Sequence, residues 1–121
     1  MKNIQNIHLK KITIGSTKFA AHGGMIVPDK RMEFERHFSF SSETIAKNLG
    51  EMNIEENTVL LMHELPTTDY AEEIRSAIEE IKPKLVIGCH NHRGPPETII
   101  NGIKYLNCGS LYYGKYTVLD F

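Results

Sequence analysis

At 121 residues, with 14 basic and 15 acidic side chains and a formal net charge of -1, the chain has the size of one domain, 1-121, built on a single modest core. The balanced charge excludes a sequence-wide attraction to nucleic acid or to an anionic membrane surface, which would need a local patch. Two cysteines, no signal-like leader and no apolar run of about 18 residues make a cytoplasmic, soluble protein with reduced thiols the expectation.

Residues 1 to 10 mix Ile4, Ile7 and Leu9 with polar side chains and suit a short helix or an opening strand. Lys11-Ile12-Thr13-Ile14 is β-rich, breaks at Gly15-Ser16 and resumes at Lys18-Phe19-Ala20-Ala21, which predicts a hairpin turning at Gly15. His22 follows beside two glycines and reads as a loop histidine. The charged run from Pro28 to His37 keeps neither a period of 2 nor of 3.6 and is expected as an ordered surface loop. Ser41 or Ser42 can cap a helix over 42–52, with Glu43 in its first turn and Ile45, Leu49 and Met52 at helical spacing.

A strand over 58–62 then delivers His63. Thr67-Thr68-Asp69 offers a cap for a second helix, whose apolar face is Ala71, Ile74, Ala77, Ile78 and Ile81 and whose end is Pro83. Leu85 to Gly88 reads as a short strand buried on both faces, and it runs into Cys89-His90-Asn91-His92-Arg93-Gly94-Pro95-Pro96. Glu97 to Ile100 and Ile103 to Leu106 flank Asn101-Gly102, a strong hairpin signal because both turn residues tolerate positive φ. After a turn at 107–110, Tyr116 to Leu119 is expected as a closing strand. Strands alternating with helices and ending in an antiparallel hairpin indicate an α/β class with a mixed sheet.

Ligand sites in such sheets gather at the carboxyl ends of strands, where His63, His90 and His92 all fall. Two imidazoles one residue apart on a turn, with a third at the end of another strand, form a candidate ligand set for a divalent metal such as manganese, iron, zinc or nickel. His-x-His alone is a weak signal and is common in ordinary surface structure. Cys89 or Cys108 with His90 and His92 would give a tetrahedral zinc count, while a small packed cysteine is the simpler account of each.

Thr58 to Pro66, with Val-Leu-Leu-Met-His-Glu-Leu-Pro at its heart, resembles the late motif of calcineurin-like metallophosphoesterases, in which an apolar strand ends in a histidine. Lys82 to Pro95 is similar to the Gly-His-x-His block of that family, and Asn101 to Leu111 with Gly114-Lys115-Tyr116 is similar to its hairpin and Asn-x-Gly-Ser turn. The resemblance covers residues 58–121 well and 11–24 loosely. It implies a layered β-sandwich flanked by helices, of which this chain would be the carboxyl-terminal half.

The resemblance also implies metal-dependent hydrolysis of phosphomonoesters or phosphodiesters, with His63 and His90 on one divalent metal and His92 on the other. Asn107, Gly109 and Ser110 would support the site. Cys89 stands where the family has glycine directly before the first histidine of the block, with Gly88 one place earlier. The family's Asp-x-His, Gly-Asp-x-x-Asp and Gly-Asn-His motifs, which supply the bridging carboxylate and the general acid, have no counterpart at matching spacing. The chain is therefore expected to need a protein partner supplying the amino-terminal half, or a second copy of itself in a homo-oligomer. The alternative is a noncatalytic metal-binding or scaffolding module derived from the same fold.

Overall fold

The computed structural model describes residues 4–34 and 38–121. Gly15 takes a φ of 62°, the left-handed turn that folds Lys10–Ile14 (β1) antiparallel onto Thr17–His22 (β2) with Ile12 opposite Phe19. Of the short helix or opening strand expected over residues 1 to 10, residues 4–9 form neither, Lys10 opens β1, and 1–3 lie outside the described residues. Met25–Val27 (β3) and Ser39–Ser41 (β4) pair in parallel as a separate two-stranded sheet. The surface loop expected over 28–37 holds a 3-10 turn at Lys30–Met32, and its residues 35–37 lie outside the described residues.

The Ser41 hydroxyl caps Ser42–Glu51 (α1) by accepting from the Thr44 amide, with Glu43 in the first turn. The Glu33 carboxylate accepts from the Ser41 amide and hydroxyl and from the Thr44 hydroxyl, and these bonds hold its pKa below the ordinary value. Val59–Glu64 (β5) runs further than the expected strand, so His63 lies inside it. The second helix starts as a 3-10 turn at Asp69–Ala71 and becomes α-helical over Glu72–Ile81 (α2), with Lys82 left-handed at φ 56° before Pro83. Leu85–Cys89 (β6) follows, and Asn101 and Gly102, both at positive φ, join Glu97–Ile100 (β7) to Ile103–Asn107 (β8).

The main sheet has six strands in the order β1-β2-β5-β6-β8-β7, and the chain is an α/β protein with a mixed sheet. Strands β2, β5, β6 and β8 run parallel, with β1 and β7 antiparallel at the two edges. Both helices cover one face. Ile45, Leu49, Ile74 and Ile78 pack there on Ala20, Leu60, Met62, Val86 and Tyr105. Burying each such large apolar side chain contributes about 1.5–3 kcal/mol, so this face carries most of the stability.

The opposite face holds Val59, Leu85 and Leu106, with Phe19, Leu61 and Ile87 only partly buried although they stand on inner strands. Its cover is the end of the chain, where Leu119 packs on this cluster and the Phe121 ring meets Phe19 edge-on at 5.9 Å. Residues 116–119 are not the closing strand expected from their sequence. Both hydrogen-bonding edges of β8 are taken by β6 and β7, and the tail packs on the sheet face instead of pairing with an edge strand.

Gly88 in β6 faces the segment leaving β5. A Cβ there would come within 2.9 Å of the Leu65 side chain and 3.1 Å of the Met62 carbonyl. Gly88→Ala is therefore expected to cost about 1–3 kcal/mol by overpacking, read as a lower urea midpoint with an unchanged slope.

Candidate functional site

All four parallel strands point the same way, so their carboxyl ends form one rim that carries His22, His63, His90 and Asn107. Two local irregularities shape its centre. Along β5 and β6 the pairs Leu61↔Ile87 and Glu64↔Cys89 enclose two residues on one strand against one on the other, a bulge at Met62-His63. Such bulges redirect a side chain at the end of a ladder. His90 sits at φ 59°, uncommon for a residue with a Cβ, in a tight turn closed by the Asn91 amide donating to the Cys89 carbonyl at 2.6 Å.

Together these features bring His63 Nε2 to 3.0 Å from His90 Nδ1, with ring centroids 4.9 Å apart. One ring donates and the other accepts, so the accepting ring is neutral at that nitrogen. Partial desolvation, then the neighbouring His90, hold the His63 pKa below the ordinary histidine value; His92 adds to this and Glu64 opposes it. Glu64 itself is tied to the small sheet, accepting from the Ile26 amide at 2.6 Å.

His92 does not join the pair. Its ring lies against Tyr113, centroids 6.0 Å apart, and its carbonyl accepts from Lys115 Nζ at 2.7 Å. Among the described residues no group of three or more histidine, cysteine, aspartate or glutamate side chains is gathered closely enough to hold a metal. The structure thus joins two of the three sequence-selected histidines and leaves the third on the neighbouring turn. Cys89 and Cys108 are free thiols, both half-buried.

The loop after β6 is fastened from below. Asn107 Nδ2 donates to the Asn91 carbonyl at 2.8 Å, the Asn107 amide to the Pro96 carbonyl at 2.9 Å, and Asn107 Oδ1 accepts from Gly109. A cleft of about 530 Å³ opens between this loop and residues 64–68, reached by His90 and His92 and lined also by Thr67, Thr68, Arg93 and Asn107. Sequence reasoning did not single out Arg93 or the threonines as cleft residues; their only signal was proximity to the histidines.

A second histidine cluster lies at the end of β2. His22 is buried rather than a loop residue, 1% exposed, with Nδ1 donating to the Gly23 carbonyl at 2.8 Å and Nε2 accepting from Asn48 at 3.0 Å. The His8 ring meets it edge-on at 5.1 Å and accepts from the Gly23 amide. Burial lowers the His22 pKa from 6.5 to about 4, opposed by the Gly23 carbonyl and assisted by His8. With both ring nitrogens bonded inside the fold, His22 fastens β2 to α1.

No family model matches the chain, and no curated protein matches it. Among solved structures, the crystal structure of TT1561 of Thermus thermophilus is similar at a TM-score of 0.71 and 17% identity, covering 92% of this chain and 52% of that one. Another crystal structure is similar at a TM-score of 0.72 and 17% identity, covering 95% of this chain and 49% of that one. At this identity the likeness is one of fold. The chain spans about half the length of the solved structures it matches.

The pH dependence of stability follows from His22. Between pH 6.5 and about 4 the unfolded imidazole takes up a proton that the native one refuses, so the stability His22 contributes is complete above pH 6.5 and lost as pH falls through this window. A loss of about 3 kcal/mol by pH 4 is expected from urea unfolding, and His22→Gln is expected to flatten that part of the profile.

Proposed function

We propose that this chain is the histidine-bearing half of a divalent-metal-dependent phosphoesterase of the calcineurin-like type, a cytoplasmic hydrolase of phosphomonoesters or phosphodiesters that works when a complementary half is present. The observation that carries the reading is the His63–His90 pair, held at the carboxyl rim of adjacent parallel strands by a bulge and a left-handed residue. Backbone strain of this kind persists where the surrounding fold over-determines it, and it gathers at functional sites.

The pair is compatible with a metal. Nitrogens 3.0 Å apart are spaced as two adjacent ligands at roughly 2.1 Å from one ion, at an angle of about 90°, and both would ligate once the proton of the donating ring moves to its other nitrogen. His63 and His90 would hold that ion, manganese, iron, zinc or nickel, and His92 on the same loop would serve a second. A bound metal supplies an activated water and a Lewis acid for in-line attack on phosphorus. The chain's own residues orient it: β5 and β6 fix the two rings, and Asn107 fixes the loop that bears His90 and His92.

Two further observations support the complementary half. The sheet face opposite the helices leaves Phe19, Leu61 and Ile87 partly exposed, and parallel inner strands are ordinarily covered on both sides. A second β-layer, supplied by a protein partner or a second copy of the chain, would cover it and bring the carboxylates that three histidines lack. The matched solved structures run to about twice the length of this chain. That no three metal-binding side chains are gathered among the described residues favours the second reading, a noncatalytic metal-binding or scaffolding module of the same fold.

Calorimetry with manganese is expected to show binding that weakens at least about tenfold in both His63→Ala and His90→Ala; unchanged affinity in both removes the metal reading. The isolated chain is expected to hydrolyse p-nitrophenyl phosphate no faster than His92→Ala. Metal-dependent turnover that disappears in this variant would mean that the chain completes the site unaided.

A further inference from the structure

We infer that the substrate taken at this rim bears a second anionic group on its organic part, and that Arg93 is the residue that selects for it; the inference rests on the phosphoester reading above. The cleft beside His90 measures about 530 Å³, a volume suited to a small metabolite and far larger than a phosphate group needs. Its lining therefore meets the organic part of any ester whose phosphate lies at the histidines.

That lining is uneven in charge. Its carboxylate, Glu64, is committed to the Ile26 amide. Its guanidinium is not committed: the Arg93 amide donates to Asn91 Oδ1 at 3.2 Å, which steadies the backbone, while among the described residues its side chain has no carboxylate partner. The other described arginines are spent, Arg31 on Asp29 and Arg75 on the Pro66 and Thr68 carbonyls.

Thr68 lines the same cleft and has a buried hydroxyl without any partner. It occupies the cap position of the turn at Asp69–Ala71 yet makes no capping bond. That hydroxyl is sealed from the cleft, so the selection rests on the Arg93 guanidinium. Arginine binds carboxylate and phosphate through two parallel N–H bonds, which gives it discrimination that a lone positive charge lacks. The cleft thus joins histidines for the scissile phosphate with a guanidinium for a second anion, and it fits phosphorylated acids or bisphosphates better than esters of neutral alcohols.

The test compares two probes that differ in one group, 3-phosphoglycerate and glycerol 1-phosphate, titrated into the full chain with manganese. Binding of 3-phosphoglycerate is expected to be at least about tenfold tighter, a preference abolished in Arg93→Gln and only partly kept in Arg93→Lys, with glycerol 1-phosphate affinity within about twofold throughout. Equal affinity for the two probes in the parent chain, or a preference that survives Arg93→Gln, overturns the inference. If both probes bind equally and both are lost in His90→Ala, the phosphoester reading stands and the role of Arg93 falls. If neither probe binds, the inference falls, and the manganese calorimetry on His63→Ala and His90→Ala decides the phosphoester reading by itself.

Discussion

Parallel pairing of β5 with β6 is the constraint on which the rest of the molecule depends. These are the inner strands, and their ladder fixes at once the core against the helices, the direction of the rim and the separation of His63 from His90. The extra residue of β5 breaks the ladder only at its last step, after the pairs that stabilise it. Structural regularity and functional irregularity are thereby confined to different ends of the same two strands.

The neighbouring parts act as buttresses to that arrangement. Gly88 admits Leu65 to close contact and so brings the chain leaving β5 down beside the loop leaving β6. Asn107, at the end of the adjoining strand, holds the loop by its side chain and its backbone. On the other flank His22 and Asn48 join the sheet to α1 through a neutral ring, which contributes a fixed position and no charge to the rim.

Much of the architecture was legible in local signals. Gly15 and Asn101-Gly102 marked both hairpins because positive φ is nearly confined to such residues, and Ser41 with Glu43 marked the first helix through its cap. A β-rich composition at Tyr116 to Leu119 suggests a strand but does not report where the chain leaving β8 is led, which is onto the sheet face. Strands β3 and β4 escaped notice because each is three residues long and their pairing partners are separated by the charged loop. At the rim, His63 and His90 could be selected as strand-end histidines, but the bulge and the left-handed backbone that join them are products of pairing. The two glycines after His22 suggest a loop, and its ring is buried only by tertiary packing, against Asn48 of α1, His8 and Phe40.

The tail that lies on the open sheet face has a thermodynamic consequence of its own. Phe121 rests on Phe19 and beneath Lys84, whose Nζ stands 5.1 Å from the ring centre, and Leu119 sits on the same apolar cluster. Any layer seated over Phe19 would first have to displace these side chains, so residues 119–121 occupy the very face that such a layer would take. Altering Leu119 or Phe121 would therefore change how much of the apolar cluster meets water without changing a single residue of the surface beneath.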